Sequence, residues 1–212
     1  MCAWVSEPAN AWSNLGYLFS GGLIVFFAIS AHRRAQPAAT SLSRLAAAIV
    51  FMGFMSFLYH ASNIFPSQWL DFAGMFVMFG VVILHNLDRL SLFSPRQRNV
   101  LVVSMMGICC GLIPFLYIAH IQYQILVVVL AVFAFILESM ACRRAGLLRS
   151  PWLALTMGLF LAAFSASLVD HGRFYCEPSN RVLHGHVLWH VLSACGFACL
   201  GMLWRSDTSV RA

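Results

Sequence analysis

Between Asn99 and Leu137 the chain runs for 39 residues without one charged side chain. That is too long for a single membrane-crossing helix, which uses roughly 20 residues, and about right for two. The break is expected where His120, Gln122 and Gln124 cluster. The rest of the chain has the same character. Of 212 residues, 13 are arginine, none is lysine and 7 are acidic, while 61% are hydrophobic and the mean hydropathy is +0.82. A soluble domain carries about a quarter charged residues. So few charges cannot cover a water-facing surface, which excludes a soluble enzyme, a disordered tail and a secreted disulfide scaffold. Seven apolar runs are predicted to span the membrane, at about residues 11–31, 44–60, 70–88, 99–118, 122–141, 151–170 and 184–204. Periodicity does not separate strand from helix in runs this uniform. Length does, because barrel strands are about half as long. The expected fold is an all-α membrane protein, a seven-helix bundle forming one domain over residues 1–212.

The formal charge of +6 does not describe a nucleic-acid surface, because the arginines fall in small groups between apolar runs. With seven spans, eleven of them collect on the side of the C-terminus, and only Arg173 and Arg181 on the other. The positive-inside bias then puts the N-terminus outside and the C-terminus in the cytoplasm. The first run follows an acidic, proline-containing segment, unlike a signal peptide, and is read as a retained helix. Cys109, Cys110, Cys142, Cys195 and Cys199 lie in or beside apolar runs and are read as free thiols. Six tryptophans sit near predicted span ends, as an interfacial belt would. Glu138, at the end of the fifth span, is expected to snorkel or to pair with Arg143 or Arg144.

Polar residues inside a membrane are costly, so their convergence is informative. Ser56 and His60 are four apart and share one helix face at the outer end of the second span. Asp71 opens the third span after a short, polar, uncharged connection over Ala61 to Leu70. His186 and His190, also four apart, lie on the outer turns of the seventh. Such a pair serves in packing, in hydrogen bonding between helices, in haem ligation or in metal binding. With His60 it makes three neutral nitrogen ligands and leaves a fourth tetrahedral position open, the composition of a catalytic zinc site. Water there would be acidified to a pKa of about 7. Asp71 would act as general base and Ser56 as donor to the developing oxyanion. Asp170 and His171 are interfacial or orient a ligand imidazole. His184 is a reserve ligand.

The stretch Met55-Ser56-Phe57-Leu58-Tyr59-His60, with Asp71 and His186-Val187-Leu188-Trp189-His190, resembles the signature of the seven-helix membrane hydrolase superfamily. That group includes alkaline ceramidases, the adiponectin-receptor and haemolysin III proteins, and GPI-remodelling lipases. Glu7-Pro8-Ala9-Asn10-Ala11-Trp12-Ser13-Asn14 and Trp189-His190-Val191-Leu192-Ser193-Ala194 resemble alkaline ceramidases in particular. The resemblance implies zinc on His60, His186 and His190, Ser56 and Asp71 at the reacting centre, and amide hydrolysis that releases a fatty acid and a sphingoid base. Eukaryotic ceramidases also hold calcium near the N-terminus. Here only Glu7 matches that site, and Asn10 with backbone carbonyls does not supply the six or more oxygens that Ca2+ prefers. Calcium is therefore doubtful, and Glu7 and Asn10 are either its remnant or structural. The family's lumenal disulfide would fall on Cys2 and Cys176, both on the expected oxidising side; otherwise the two are exposed thiols.

The expectation is thus a zinc-dependent lipid amidase whose substrate is a ceramide-like membrane lipid. An esterase or GPI-lipase activity, a receptor-like lipid binder with a structural metal, and a haem carrier are the alternatives. Short loops favour a bacterial inner membrane over the endoplasmic reticulum or Golgi. The sequence is silent on oligomeric state.

Overall fold

The computed structural model describes residues 5–36, 38–171 and 184–207. Among them the only regular structure is helix, and seven helices are long and apolar enough to cross a membrane. The protein is a multi-pass membrane protein. The first span joins a short α1 (Pro8–Ser13) to α2 (Leu15–Arg33) through Asn14, whose own right-handed helical backbone keeps the two nearly continuous. The other spans are α3 (Ala39–Ser62), α4 (Phe65–Leu90), α5 (Pro95–Ile118), α6 (Gln124–Arg144), α7 (Pro151–His171) and α8 (Gly185–Ser206). Cys2, Cys176, Arg173 and Arg181 lie outside the described residues. Cys109, Cys110, Cys142, Cys195 and Cys199 are free thiols.

Several helices run further than their apolar stretches suggest. The connection expected over Ala61 to Leu70 shrinks to Asn63 and Ile64. Asn63 ends α3 with φ 52°, in the left-handed region that asparagine tolerates better than most residues. Pro66 then sits in the first turn of α4, where its missing N–H costs nothing and its fixed φ suits a helix. Likewise α5 begins at Pro95, because Ser94 and Gln97 form a reciprocal capping box. Proline and polar residues that read as loop are helix-starting chemistry here.

The α2 helix packs between α3 and α8, α4 packs on α3, α5 and α6, and α7 lies along α8. Small residues let the backbones close. A Cβ on Gly53 would sit 2.7 Å from the Cβ of Tyr17, and one on Gly185 would overlap the carbonyl oxygen of Ala166. The first contact joins α3 to α2, the second α8 to α7, each within a turn of a residue of the polar cluster described below. Meanwhile Phe19, Phe115, Ile118 and Leu161 project outward, as suits a surface whose solvent is lipid.

At the end of the bundle away from the histidines, charge is buried. Arg89 of α4 donates to Glu138 Oε1 of α6 at 2.6 Å and pairs with Asp207, just past α8, at 2.6 Å. Asn86 Nδ2 and Trp204 Nε1 donate to Glu138 Oε2 at 2.9 and 3.1 Å. Glu138 is therefore not paired with Arg143 or Arg144. Arg144 instead donates to the Leu90 carbonyl at 2.7 Å. Trp204 is also no belt residue. It is fully buried, and its ring stacks on His85 with centroids 3.8 Å apart. A charge near a span end need not be a loop charge when the opposite sign meets it inside. Arg89→Met, which leaves buried carboxylates uncompensated, is expected to cost about 3 kcal/mol or more, read as a lower melting temperature in detergent. Adding Glu138→Leu should restore part of the loss.

Candidate metal centre

Three helices converge at the other end. α3 delivers Ser56 and His60 on one face, with the serine one turn deeper. The two-residue turn after α3 sets Asp71, on the second turn of α4, beside them. The Ser56 side chain lies beside Asp71, and both are buried. α8 delivers His186 and His190 from its first turns. One nitrogen from each of His60, His186 and His190 can be chosen so that all lie within 4.8 Å of one another. His60 Nε2 and His186 Nε2 are 3.1 Å apart, and the ring centroids are separated by 4.6 to 5.1 Å.

Hydrogen bonds behind the rings select their tautomers. His60 Nδ1 is 2.6 Å from Glu7 Oε2. A carboxylate only accepts, so Nδ1 carries the proton and Nε2 keeps its lone pair. Ser13 donates its hydroxyl to the Asn10 carbonyl at 2.8 Å, so it accepts from His190 Nδ1–H at 2.7 Å. That again leaves Nε2 free. Such partners fix the orientation and raise the basicity of metal-binding imidazoles. With Nε2 of His60 a lone pair, the facing His186 Nε2 requires a proton or a cation between them. Two nitrogens 2.0 to 2.1 Å from one tetrahedral ion sit about 3.3 Å apart, close to the observed spacing. The three imidazoles are placed to hold one metal ion, and their nitrogen chemistry suits zinc.

Local sequence explains the support. Ser6 N–H and Glu7 N–H donate to the carbonyls of Ala61 and His60 at 3.0 and 2.9 Å, so the chain ahead of α1 is pinned across the end of α3. The hydrogen bond from His60 is the strongest influence on the Glu7 carboxyl and, against partial burial, holds its pKa down at about 2. Asn10 Nδ2 donates to the same Oε2 at 2.9 Å. Glu7 and Asn10 thus brace His60. On α2, Tyr17 donates to Ser193 Oγ of α8 at 2.7 Å and rests edge-on against His190 at 5.8 Å.

The other sequence candidates stand apart. Asp170 lies 3.7 Å from His184, and His184 is not in the three-nitrogen group. The His171 side chain lies outside the described residues, as do Cys2 and Cys176. Ser13 had no part assigned to it from sequence alone, although it lies in the quoted Glu7 to Asn14 stretch. Its one-turn offset from Asn10 was the available signal. Glu7→Gln and Ser13→Ala are each expected to weaken zinc binding about 10- to 100-fold, measured by titration against a competing chelator.

A family model described as Ceramidase matches residues 1–210. No curated protein matches the chain. The match runs through both halves of the histidine centre, and the chain belongs to the ceramidase family.

Proposed function

We propose that the protein is a zinc-dependent intramembrane amidase that hydrolyses the N-acyl bond of ceramide-like sphingolipids, giving a fatty acid and a sphingoid base. Membership of the ceramidase family supports hydrolysis of an amide bond in a lipid. The observation that carries the finer reading is the buried Ser56–Asp71 pair on the same two helices that bring His60 to His186. A structural metal site needs neither residue. Bound zinc would supply a Lewis acid that polarises the scissile carbonyl and acidifies water.

The chain's own residues supply the rest. Glu7 and Ser13 hold two imidazoles in the metal-binding tautomer. Asp71 takes the proton from the attacking water as the carbon–oxygen bond forms. Protonation of Asp71 frees the Ser56 hydroxyl, which then donates to the developing oxyanion. As the carbon–nitrogen bond breaks, Asp71 passes the proton to the leaving amine. Substrate is taken from the bilayer. α6 packs on α4 and α7 on α8, and the seam between α6 and α7 is bridged by the rings of Phe135 and Phe160 at 5.4 Å. The arginine distribution supports a centre at the outer face of the membrane.

Asp71→Asn keeps the shape and removes the base. It should lower release of fatty acid from ceramide by about 10³-fold while metal analysis still finds zinc. Wild-type protein carrying one zinc that cleaves no ceramide, while cleaving an ester or a GPI-type lipid, would overturn the amidase assignment.

A further inference from the structure

Beside the histidine centre lies a second polar group whose hydrogen-bonding capacity is not used up. Tyr59 precedes His60, and their rings are 4.8 Å apart. Gln68 lies one helical turn before Asp71 on α4. Gln68 Nε2 donates to Tyr59 OH at 3.0 Å, and the Gln68 side chain also lies beside the phenol of Tyr123. The ring of Tyr123, which immediately precedes α6, stands edge-on to Phe72 of α4 at 4.8 Å. One amide amino group has two hydrogens, enough for both phenol oxygens. Each phenol then acts as an acceptor and retains its own hydrogen as a donor. Among the described residues no acceptor is paired with either. Tyr59 and Gln68 are only half-buried and make this edge reachable, while Tyr123 is buried.

We propose that Tyr59, Gln68 and Tyr123 form an uncharged rim that reads the hydroxyl-bearing head of the substrate. Two phenol donors and the amide oxygen of Gln68 complement neutral hydroxyl groups, which donate and accept in turn. A phosphorylated head would call for cationic partners instead. This rests on the amidase reading above and adds to it the residues that read the head. The rim stands within a turn of both His60 and Asp71, so a head held there keeps its amide next to the reacting centre.

The test uses the full-length, zinc-containing protein in lipid nanodiscs, with ceramide and the matching 1-deoxyceramide, which lacks the primary hydroxyl. Binding of each is read by displacement of a fluorescent lipid, and kcat and KM by fatty-acid release. Wild type should prefer ceramide about fivefold or more in affinity. Tyr59→Phe and Tyr123→Phe, which keep the rings, should each raise KM for ceramide about fivefold and bring the ratio between the two lipids toward one. Gln68→Leu should do the same, and zinc content monitors the integrity of every variant. Equal binding of the two lipids by wild type, or a ratio that survives in all three variants, overturns the rim. Ceramide bound with this preference but not cleaved overturns the amidase reading and leaves the rim standing.

Discussion

Two imidazole nitrogens facing each other at 3.1 Å inside a bilayer are a constraint that the surrounding structure must answer. A neutral pair with both lone pairs facing each other is repulsive, and His60 is buried. The chain commits one of them outright, since Glu7 claims the Nδ1 proton of His60. It commits His190 in the same way through Ser13. Once these tautomers are set, a divalent cation would satisfy all three rings together, and the pinning of residues 6 and 7 across the end of α3 would serve to hold them. The small residues that draw α2, α3, α7 and α8 together are what permit the approach.

The opposite end of the bundle solves the same problem by different means. There Arg89 is held between Glu138 and Asp207, and Asn86 and Trp204 complete the carboxylate. Opposite charges neutralise one another without a metal, and buried ion pairs specify arrangement more than they add stability. Both clusters involve α8. The last span is thus tied near its start by histidines and just past its end by Asp207, and the register of His186 and His190 is fixed from two directions.

The spans were legible because lipid imposes a length and tolerates few charges. The histidines, Ser56 and Asp71 stood out because a four-residue spacing puts polar groups on one face of an apolar helix. Their supporting contacts were not legible. Glu7 and His60 are 53 positions apart and Ser13 and His190 are 177 apart, and no periodicity relates such pairs. Arg89 and Glu138 misled for another reason. Near the end of an apolar run, a charge directed into the protein has the same one-dimensional appearance as one directed into water. The proline-containing connection between α3 and α4 misled because proline opens a helix as readily as it ends one.

That connection, reduced to Asn63 and Ile64, bears on how the protein is made. α3 and α4 leave the ribosome as a helical hairpin, so His60, Ser56 and Asp71 become neighbours early in synthesis. His186 and His190 follow more than a hundred residues later. Until the final span is in place only one of the three imidazoles is present, and cation affinity is correspondingly poor. On the metal-site reading proposed above, capture of the ion would report that the whole chain has been threaded and packed, a built-in proofreading of assembly that an isolated hairpin cannot pass.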